Sequence, residues 1–552
     1  MSEGSIPSYG RPRTIKPEIL SGVLLNFRSF ELPLTLALSA SLLAGTALIA
    51  GCASALGPQE AAQPRVPDAV TPATAPAPRP ASTPAPSISA SVRIDEATAH
   101  QVIEGFGATT TEYIDMVSGV DMMGELRPRV IEAVYGQVGI TMGHLDVYPY
   151  ENFDPSHYTT ANDDGDPFTF NWRAFNFVRS EGQKTGIVDL ARPYGFDNFT
   201  IHSGTNVRWS DPWMAGVRKT NYRLYLEEMA ENVVAPLIYW RDKFGIVTRW
   251  HHLFNEPTTG NRELAGAGVQ EVVDLVKVVG ARFQREGFGD LRLVVASEET
   301  EEASLASARA VLADPEARRY VGAISYHTYP YGSFYSDVNR ILATSGMGKP
   351  DAGRIKVRND IRDLAKQYGL QVWMTEVSNG RAGPLDSLRG RAIHIHDEMR
   401  YANASSYWAM FQAWDMLATR GNCGEDCPVY FDRVRGTVNI SGIGHAIGHY
   451  ARWIRRGAVR VDSQTDDPLV LASAFRDDVQ KRIIAVVINN HGEPVSVTLR
   501  TARHVELSAE VKGEQSSAEG YWLPLAAVAR EDSSISAVLP ARSVTSLSVG
   551  FR

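Results

Sequence analysis

Short apolar runs alternate with longer amphipathic runs from about residue 102 to residue 457. The short runs are rich in β-branched and aromatic residues, as strands buried on both faces are, and they are VIEGFGA, GITMGHLDV, FTIHSG, VTRWHHLF, LRLVVAS, VGAISYH, LQVWMTE and SSYWAMFQ. Apolar positions recur with helical period between them, most clearly over 222–245, 269–287 and 361–369. About eight such units predict a (β/α)8 TIM barrel.

A doubly wound open sheet is the alternative to the barrel. Such a sheet usually carries a Gly-rich nucleotide-binding turn after its first strand, and GFGATTTEY does not match that fingerprint. We therefore expect residues 102–457 to form the barrel and to need no nucleotide cofactor.

The pattern changes to short strands separated by turn residues after HAIGHYARWIRRG. Runs such as LVLASAFR, RIIAVVINN, VSVTLRT and SVTSLSVGF, with NNHGEP between two of them, predict a β-sandwich over 458–552. ISASVRIDE precedes the barrel and is also strand-like, so we expect residues 90–101 to join the sandwich.

The first ninety residues do not have the pattern of a folded domain. LPLTLALSASLLAGTALIAGC ends in small residues, as a secretory signal does, and Ile49-Ala50-Gly51-Cys52 resembles a bacterial lipoprotein signal in which Cys52 is lipidated. Residues 1–52 are thus predicted to be an export signal, with an uncleaved membrane anchor as the alternative. Residues 53–89 are rich in Pro and Ala and predict a disordered linker. The protein is expected to be exported, either held at the cell envelope or secreted.

Charge and cysteine content narrow the possible partners and cofactors. The chain has 552 residues and a formal net charge of −8, with no basic run, which argues against nucleic acid. Of its three cysteines, Cys423 and Cys427 predict a short-loop disulfide in an exported protein, since a metal site would need two further ligands. We expect a monomer with no metal and no cofactor.

Two glutamates stand out because each directly follows a predicted barrel strand. Glu256 follows VTRWHHLFN at the fourth strand, and Glu376 follows LQVWMT at the seventh. Active sites of this barrel fold lie at the carboxyl ends of the strands, so both side chains are expected to face one pocket. Two such carboxylates suit the hydrolysis of a glycosidic bond, in which one protonates the leaving oxygen and the other attacks the anomeric carbon.

Several motifs around these glutamates resemble glycoside hydrolase family 30, a family of the clan A retaining enzymes. Asn255-Glu256-Pro257 resembles the acid/base signature, and Trp373-Met374-Thr375-Glu376 resembles the nucleophile strand. QVIEGFG resembles the first-strand motif, while RWIRRGAVRVDS, AVVINN and LPARSVTSLSV resemble segments of the side sandwich. The resemblance covers roughly residues 90–552.

The resemblance implies a role for each matching residue. Glu256 would be the general acid/base, Glu376 the nucleophile, and Asn255 a hydrogen-bond partner of the sugar 2-hydroxyl. His327 or Tyr329, in SYHTYP, would hold the nucleophile or contact the sugar. The other residues expected to bind sugar are His144, Trp209, Trp213, Trp408, Gln412 and Trp414.

Three segments depart from the family pattern and leave the sugar open. The third-strand segment has Arg208-Trp209-Ser210-Asp211-Pro212 where Trp-Ser-Pro-Pro is usual. Phe411 stands where many members have a second Trp, and His144 and Asp146 stand where an Arg is common. The expected substrate is therefore a β-linked glycan of unspecified type: β-1,6-galactan, β-glucan, xylan and a glucosyl lipid all stay open, and so does the choice between endo and exo action.

Two other acid or imidazole clusters have simpler explanations. His251 and His252 are adjacent on a strand and point to opposite faces, so they cannot share a metal. Glu298, Glu299, Glu301 and Glu302 lie where a helix begins, which indicates stabilisation of the helix dipole, although Glu298 or Glu299 could instead touch sugar. The alternative function is a glycan-binding lipoprotein without catalysis, which would not need both Glu256 and Glu376.

Overall fold

Eight parallel strands close into a barrel, as the alternation of apolar and amphipathic runs predicted. The computed structural model describes residues 86–110, 123–147, 164–202, 212–259, 268–328, 352–377, 384–415 and 427–551, except positions 174, 176, 503–506, 526–527 and 532. The barrel strands, in order around the barrel, are β2 (Gly105–Thr110), β3 (Met142–Asp146), β4 (Asn198–His202), β5 (Trp250–His252), β6 (Arg292–Val295), β7 (Val321–His327), β8 (Gln371–Glu376) and β9 (Ser406–Phe411).

Helices on the chain between the strands pack their apolar faces on the outside of the barrel. The longer ones are Pro212–Thr220, Tyr222–Phe244, Val269–Arg285, Glu301–Ala313, Ala352–Tyr368, Pro384–Asp397 and Gly442–Ala451. Shorter helical segments are Gly124–Leu126, Arg127–Ile131, Glu132–Gln137, Val178–Gln183, Lys184–Val188, Asp189–Ala191, Arg192–Tyr194, Pro315–Arg318 and Glu398–Ala402. No helix in the described ranges is both long enough and apolar enough to cross a bilayer.

Local sequence explains where the longest helix starts and stops. The Asn221 side chain accepts a hydrogen bond from the Leu224 amide at the first turn, and Gly245 takes a left-handed conformation (φ 67°) at the end. One face of this helix, including Tyr225, Met229 and Val233, is buried against the barrel. Trp240 of the same helix packs edge-on against Phe199 of β4, with ring centroids 5.9 Å apart.

Ten strands form the sandwich: one precedes the barrel strands along the chain and nine follow them. They are β13 (Val459–Thr465), β14 (Val470–Asp477), β15 (Arg482–Asn489), β16 (Val495–Thr501), β17 (Leu507–Ser517), β18 (Gly520–Pro524), β19 (Ala529–Glu531), β20 (Ser534–Leu539), β21 (Ser543–Phe551) and β1 (Ile88–Val102). Their hydrogen-bonded order is β18-β17-β21-β15-β14-β13-β1-β16-β20-β19. The strand before the barrel is thus central to this sheet, antiparallel to β13 and parallel to β16.

Alternating residues of the sandwich strands contribute to two different cores. On β15, Ile483 and Val487 pack inside the sandwich with residues of β16 and β20, whereas Ile484 and Val486 join the barrel's core. This period-2 alternation buries both faces of the strand, which explains why RIIAVVINN is almost continuously apolar. The sandwich is therefore fixed to the barrel by a shared apolar layer.

A small three-stranded sheet follows the last barrel strand and was not expected from the sequence. It consists of β10 (Ala413–Asp415), β11 (Val429–Asp432) and β12 (Thr437–Ile440). Its strands have three or four residues, too few for a periodic pattern to be recognised.

Candidate active site

Glu256 and Glu376 lie at the same end of the barrel. Glu376 is the last residue of β8, the seventh barrel strand, and Glu256 lies four residues beyond the end of β5, the fourth. Both are largely buried, with 6% of Glu256 and 9% of Glu376 exposed. The two glutamates therefore lie after the fourth strand and at the end of the seventh, respectively, as the sequence predicted.

His327 connects the two glutamates. It is the last residue of β7, and its fully buried ring lies with Nδ1 3.0 Å from Glu256 Oε1 and Nε2 3.6 Å from Glu376 Oε2. Its backbone neighbour Thr328 also donates from N–H to the Glu376 carbonyl at 3.2 Å. The two carboxylates are thus brought within reach of one imidazole ring, on either side of it.

The charges of the glutamates decide the protonation of this ring. Burial by itself would lower the pKa of His327, but the negative charge of Glu376 and the hydrogen bond and charge of Glu256 outweigh it. The net effect is a pKa raised above the ordinary value of histidine. A protonated His327 can donate one N–H toward each carboxylate, so the three groups form a unit able to hold and move a proton.

Glu256 has an unusual backbone conformation. Its φ is 49°, in the left-handed region that residues with a Cβ seldom occupy. The amide of Glu256 donates to the carbonyl of Ser297 at 2.8 Å, which ties this conformation to the end of β6. Such backbone strain occurs frequently at functional sites, where surrounding contacts maintain it.

A layer of histidines lies beneath the carboxylates, inside the barrel. The rings of His144, His202 and His252 have centroids 4.7–5.7 Å apart, and Nδ1 of His144 and Nδ1 of His252 are 3.2 Å apart. Burial and the neighbouring His144 hold the pKa of His252 well below its ordinary value, so the ring is neutral. No group of three His, Cys, Asp or Glu side chains within the described ranges could hold a metal ion.

The adjacent histidines of HHLFNEP have separate environments. His252 contacts the Ser297 hydroxyl and the ring of His144 within the barrel. His251 packs on the other face of β5, edge-on to Phe283 of the helix Val269–Arg285 with ring centroids 5.4 Å apart. The prediction that these two side chains point to opposite faces is confirmed.

The other residues expected to bind sugar have varied positions. Trp408 is fully buried and donates to the Ser406 hydroxyl at 2.6 Å, while Gln412 is fully buried and accepts from the Tyr135 hydroxyl at 2.6 Å. Trp213 is partly exposed near the start of its helix, and Trp414 packs against Phe411 with the rings tilted by 36° and their centroids 4.4 Å apart. These contacts give Trp408 and Gln412 packing roles, and their sugar contacts stay predictions.

Several expected residues lie outside the described part of the chain. They are Cys52, Trp209, Tyr329 and Cys423. Cys427 is described and is buried. Because Cys423 lies outside the described residues, the disulfide between them stays a prediction. Asn255 is described and half-buried, next to Glu256.

The acidic run at 298–302 contains both the start of a helix and a buried carboxylate. Glu301 and Glu302 lie in the first turn of the helix Glu301–Ala313, which agrees with the helix-dipole prediction. Glu298 precedes that helix, is fully buried and accepts hydrogen bonds from Thr258 and Thr259. A sugar contact of Glu298 or Glu299 stays a prediction. Glu301 is also buried, and it pairs with Arg354 at 2.7 Å. These partners are distant in sequence, and no local motif points to them.

Comparisons with known proteins identify the sandwich and the fold. Residues 457–547 match the family model described as "Glycosyl hydrolase family 30 beta sandwich domain". A curated relative, the glucuronoxylanase XynC of Bacillus subtilis, is 25% identical over 275 residues, which are 49% of this chain and 55% of that enzyme. The match thus spans about half the length of the curated relative.

Solved structures resemble the chain over most of its length. A family 30 endoxylanase from Clostridium papyrosolvens C71 has 18% identity and a TM-score of 0.58, covering 84% of this chain and 100% of that one. A conserved exported protein from Bacteroides fragilis has 14% identity and a TM-score of 0.61, covering 83% and 99%. The resemblance to glycoside hydrolase family 30, and the barrel with its sandwich, are confirmed.

Proposed function

We propose that this chain, with the barrel and sandwich of glycoside hydrolase family 30, is a retaining β-glycoside hydrolase. Glu256 is its general acid/base and Glu376 its nucleophile. The observation that carries the proposal is the placement of both carboxylates against the single buried ring of His327, at 3.0 Å and 3.6 Å. Both lie at the barrel end where active sites of this fold occur.

The proposed reaction has two displacement steps. Glu256 protonates the glycosidic oxygen while Glu376 attacks the anomeric carbon, and the aglycone leaves as a covalent glycosyl ester forms on Glu376. Glu256, now ionised, then takes a proton from water as the water attacks the same carbon and releases Glu376. Two inversions leave the configuration at the anomeric carbon unchanged.

His327 serves both steps in this scheme. Each carboxylate changes charge during the cycle: Glu376 loses its charge on forming the ester, and Glu256 gains one on giving up its proton. An imidazolium between them compensates whichever carboxylate is ionised, in a site that excludes most water. The contacts at Nδ1 and Nε2 support this role.

The substrate class follows from the relatives only in outline. The curated relative is named a glucuronoxylanase, and the similar structure from Clostridium papyrosolvens an endoxylanase. We therefore propose an internal β-linkage of a polysaccharide as the target. Glucuronoxylan is the first substrate to test, with β-1,6-galactan and β-glucan beside it.

Substitution of each glutamate by alanine tests the two roles separately. Glu376→Ala is expected to lose at least about 10⁴-fold in turnover, and Glu256→Ala about 10²–10⁴-fold. Azide can attack the anomeric carbon in both variants, and it does so from opposite faces of the sugar in the two. Glu376→Ala with azide should give the α-glycosyl azide, and Glu256→Ala the β-glycosyl azide, as read by NMR of the product.

The two anomers serve as controls for each other. The same anomer from both variants would contradict the assigned roles. Wild-type turnover that survives in Glu376→Ala would refute the nucleophile assignment. Binding of the glycan without any cleavage by the wild-type chain would favour the glycan-binding alternative over a hydrolase.

We further propose that the protein is exported and anchored through a lipid on Cys52. The apolar run ending in Ile49-Ala50-Gly51-Cys52 supports this, and so does the similarity in fold to a conserved exported protein from Bacteroides fragilis. Cys52→Ser should move the protein from the detergent phase to the aqueous phase in Triton X-114 partitioning of producing cells. Equal partitioning of wild type and variant would contradict the anchor.

A further inference from the structure

Glu298 follows β6 and binds the turn that contains the proposed acid/base. Its Oε2 accepts from the amides of Thr258 and Thr259, both at 3.1 Å, and from the Thr259 hydroxyl at 2.9 Å. Its Oε1 accepts from the Thr258 hydroxyl at 2.9 Å. Four donors from two consecutive residues therefore converge on one fully buried carboxylate.

The same residue is bonded through its backbone to His327. The amide of His327 donates to the Glu298 carbonyl at 3.2 Å, and the Ser304 hydroxyl donates to that carbonyl at 3.2 Å. Just before it, the carbonyl of Ser297 accepts from the amide of Glu256. Residues 297–298 thus join the turn after β5 to the end of β7, the two places that hold Glu256 and His327.

The bonds oppose a relaxation that the backbone of Glu256 favours. A left-handed φ at a residue with a Cβ is strained by on the order of 1–3 kcal/mol, and it persists only where surrounding contacts maintain it. Thr258 lies two residues beyond Glu256 and Thr259 three, and both are hydrogen-bonded to the Glu298 carboxylate. Without these bonds the turn can rotate, and the Glu256 carboxylate moves away from the position where it contacts His327.

The contacts of the Glu298 side chain are those of a hydrogen-bond acceptor, and its charge is the last of the causes that raise the pKa of His327. Burial raises the pKa of Glu298, and the bonds from the two threonines oppose that rise. Three of the four donors meet at Oε2, and the fourth is a hydroxyl, which can reverse and accept instead. A glutamine amide with its oxygen at the Oε2 position would keep all four bonds.

We infer that Glu298 is a positioning residue, which sets the carboxylate of Glu256 for proton transfer to the leaving oxygen. This inference rests on the proposed function and adds to it a residue that acts through Glu256. The active site must both protonate the leaving group and attack the anomeric carbon. A misplaced Glu256 impairs the protonation and leaves nucleophilic attack by Glu376 in place.

Leaving-group dependence is the measurement that separates positioning from stability. We would compare kcat/KM on glucuronoxylan, or the panel glycan that the wild type cleaves, with kcat/KM on the matching 2,4-dinitrophenyl β-glycoside. Dinitrophenolate leaves without protonation. Glu298→Ala is expected to lose on the order of 10²-fold on the glycan, as a displacement of about 1 Å does, and less than about tenfold on the dinitrophenyl glycoside.

Two further variants complete the design. Glu298→Gln should restore the glycan activity to within about tenfold of wild type, because it keeps the acceptor. Glu271→Ala is the matched control: this buried carboxylate accepts from the Tyr225 hydroxyl at 2.8 Å and from Arg218 at 2.6 Å, on the outer helices. It should lower the melting temperature and leave the ratio of the two activities unchanged.

The outcomes distinguish this inference from the proposed function. Equal losses on both substrates in Glu298→Ala would refute positioning while the hydrolase stands. A wild-type chain that cleaves neither substrate would refute the hydrolase, and the inference with it. If Glu298→Ala does not fold, Thr259→Val removes one hydroxyl donor and should change the ratio in the same direction, and an unchanged ratio would refute the inference.

Discussion

The two ends of the barrel each bury carboxylates, and they hold them differently. Glu104 lies at the amino end, directly before β2, and is 5% exposed. Its carboxylate accepts from Asn198 at 3.0 Å and Gln371 at 3.1 Å, from residues that begin β4 and β8. Arg456 pairs with it at 3.0 Å, and Arg249 is 3.4 Å away.

At the carboxyl end the cationic partner is titratable. Glu256 and Glu376 face one imidazole, that of His327, whereas Glu104 faces two guanidinium groups. A guanidinium keeps its charge at every pH that the fold survives, so it can hold a carboxylate but not exchange a proton with it. An imidazole can do both.

This difference assigns a structural role to the carboxylate at the amino end and, under the proposed function, a chemical role to those at the carboxyl end. The donors to Glu104 come from the first residues of strands that are apart in the barrel order, so the carboxylate fastens those strands together. The groups at the other end are instead placed on β7, on β8 and on a strained turn. Under the proposed function, burial alone therefore does not distinguish Glu256 and Glu376 from Glu104, whereas the kind of cationic partner does.

Removal of the carboxylate at the amino end should have the largest effect on stability. Glu104→Ala removes the acceptor of the Gln371 amide and of the Trp250 indole N–H, at about 1–3 kcal/mol for each buried donor left unsatisfied. The Asn198 amide keeps its 3.3 Å hydrogen bond to the backbone carbonyl of residue 104. We expect the free energy of unfolding, measured by urea denaturation, to fall by about 3 kcal/mol. The turnover number of the folded fraction should stay near that of wild type.

The matching substitution at the carboxyl end should behave in the opposite way. Glu256→Gln is expected to lose activity and to change the free energy of unfolding by less than Glu104→Ala does, because the glutamine amide can still hydrogen-bond Nδ1 of His327. If Glu104→Ala lowered the turnover number of folded protein as strongly as Glu256→Gln does, the assignment of architecture to one end and chemistry to the other would be wrong.

The strands and the two glutamates were predictable because both follow from local patterns. Short apolar runs lie where the barrel strands, of three to seven residues, are found, and an ionisable residue after such a run must lie near the carboxyl end of the barrel. Asn255-Glu256-Pro257 and the end of LQVWMTE met that condition. Closure of the barrel then brings the ends of β5 and β8 to the same rim. The prediction that the two glutamates lie at one end of the barrel therefore needs no knowledge of side-chain contacts.

The partners of these residues were not predictable in the same way. Glu298 lies in an acidic run just before a helix, and its local context indicates a helix dipole. Its actual partners, Thr258 and Thr259, are 40 and 39 positions away and are reached only because β5 and β6 are neighbours. Glu104, which stands inside the first-strand motif VIEGFGA, has partners as far away as Gln371. Long-range hydrogen bonds depend on strand order and register, which a single sequence does not contain.

The titratable partner at the carboxyl end gives a pH-dependent effect, smaller than the loss of Glu104. The pKa of His327 is raised in the folded protein, so its charged form stabilises the fold fully below its ordinary pKa, near 6.5, and this contribution is lost as the pH rises through the raised value. His327→Gln should therefore lose more stability relative to wild type at pH 6 than at pH 9, in urea unfolding at each pH. His449→Gln is the matched control, since burial lowers the pKa of His449 to about 3 and its ring is neutral in the folded protein over this whole range. At pH 6 the unfolded chain binds a proton on His449 that the folded chain does not, so the loss of stability in that variant should be smaller at pH 6 than at pH 9, the opposite direction to His327→Gln. A His327→Gln loss that is flat with pH, or that follows the direction of His449→Gln, would mean that the imidazole is not charged between the two glutamates, and the contrast with the guanidinium groups around Glu104 would then fail.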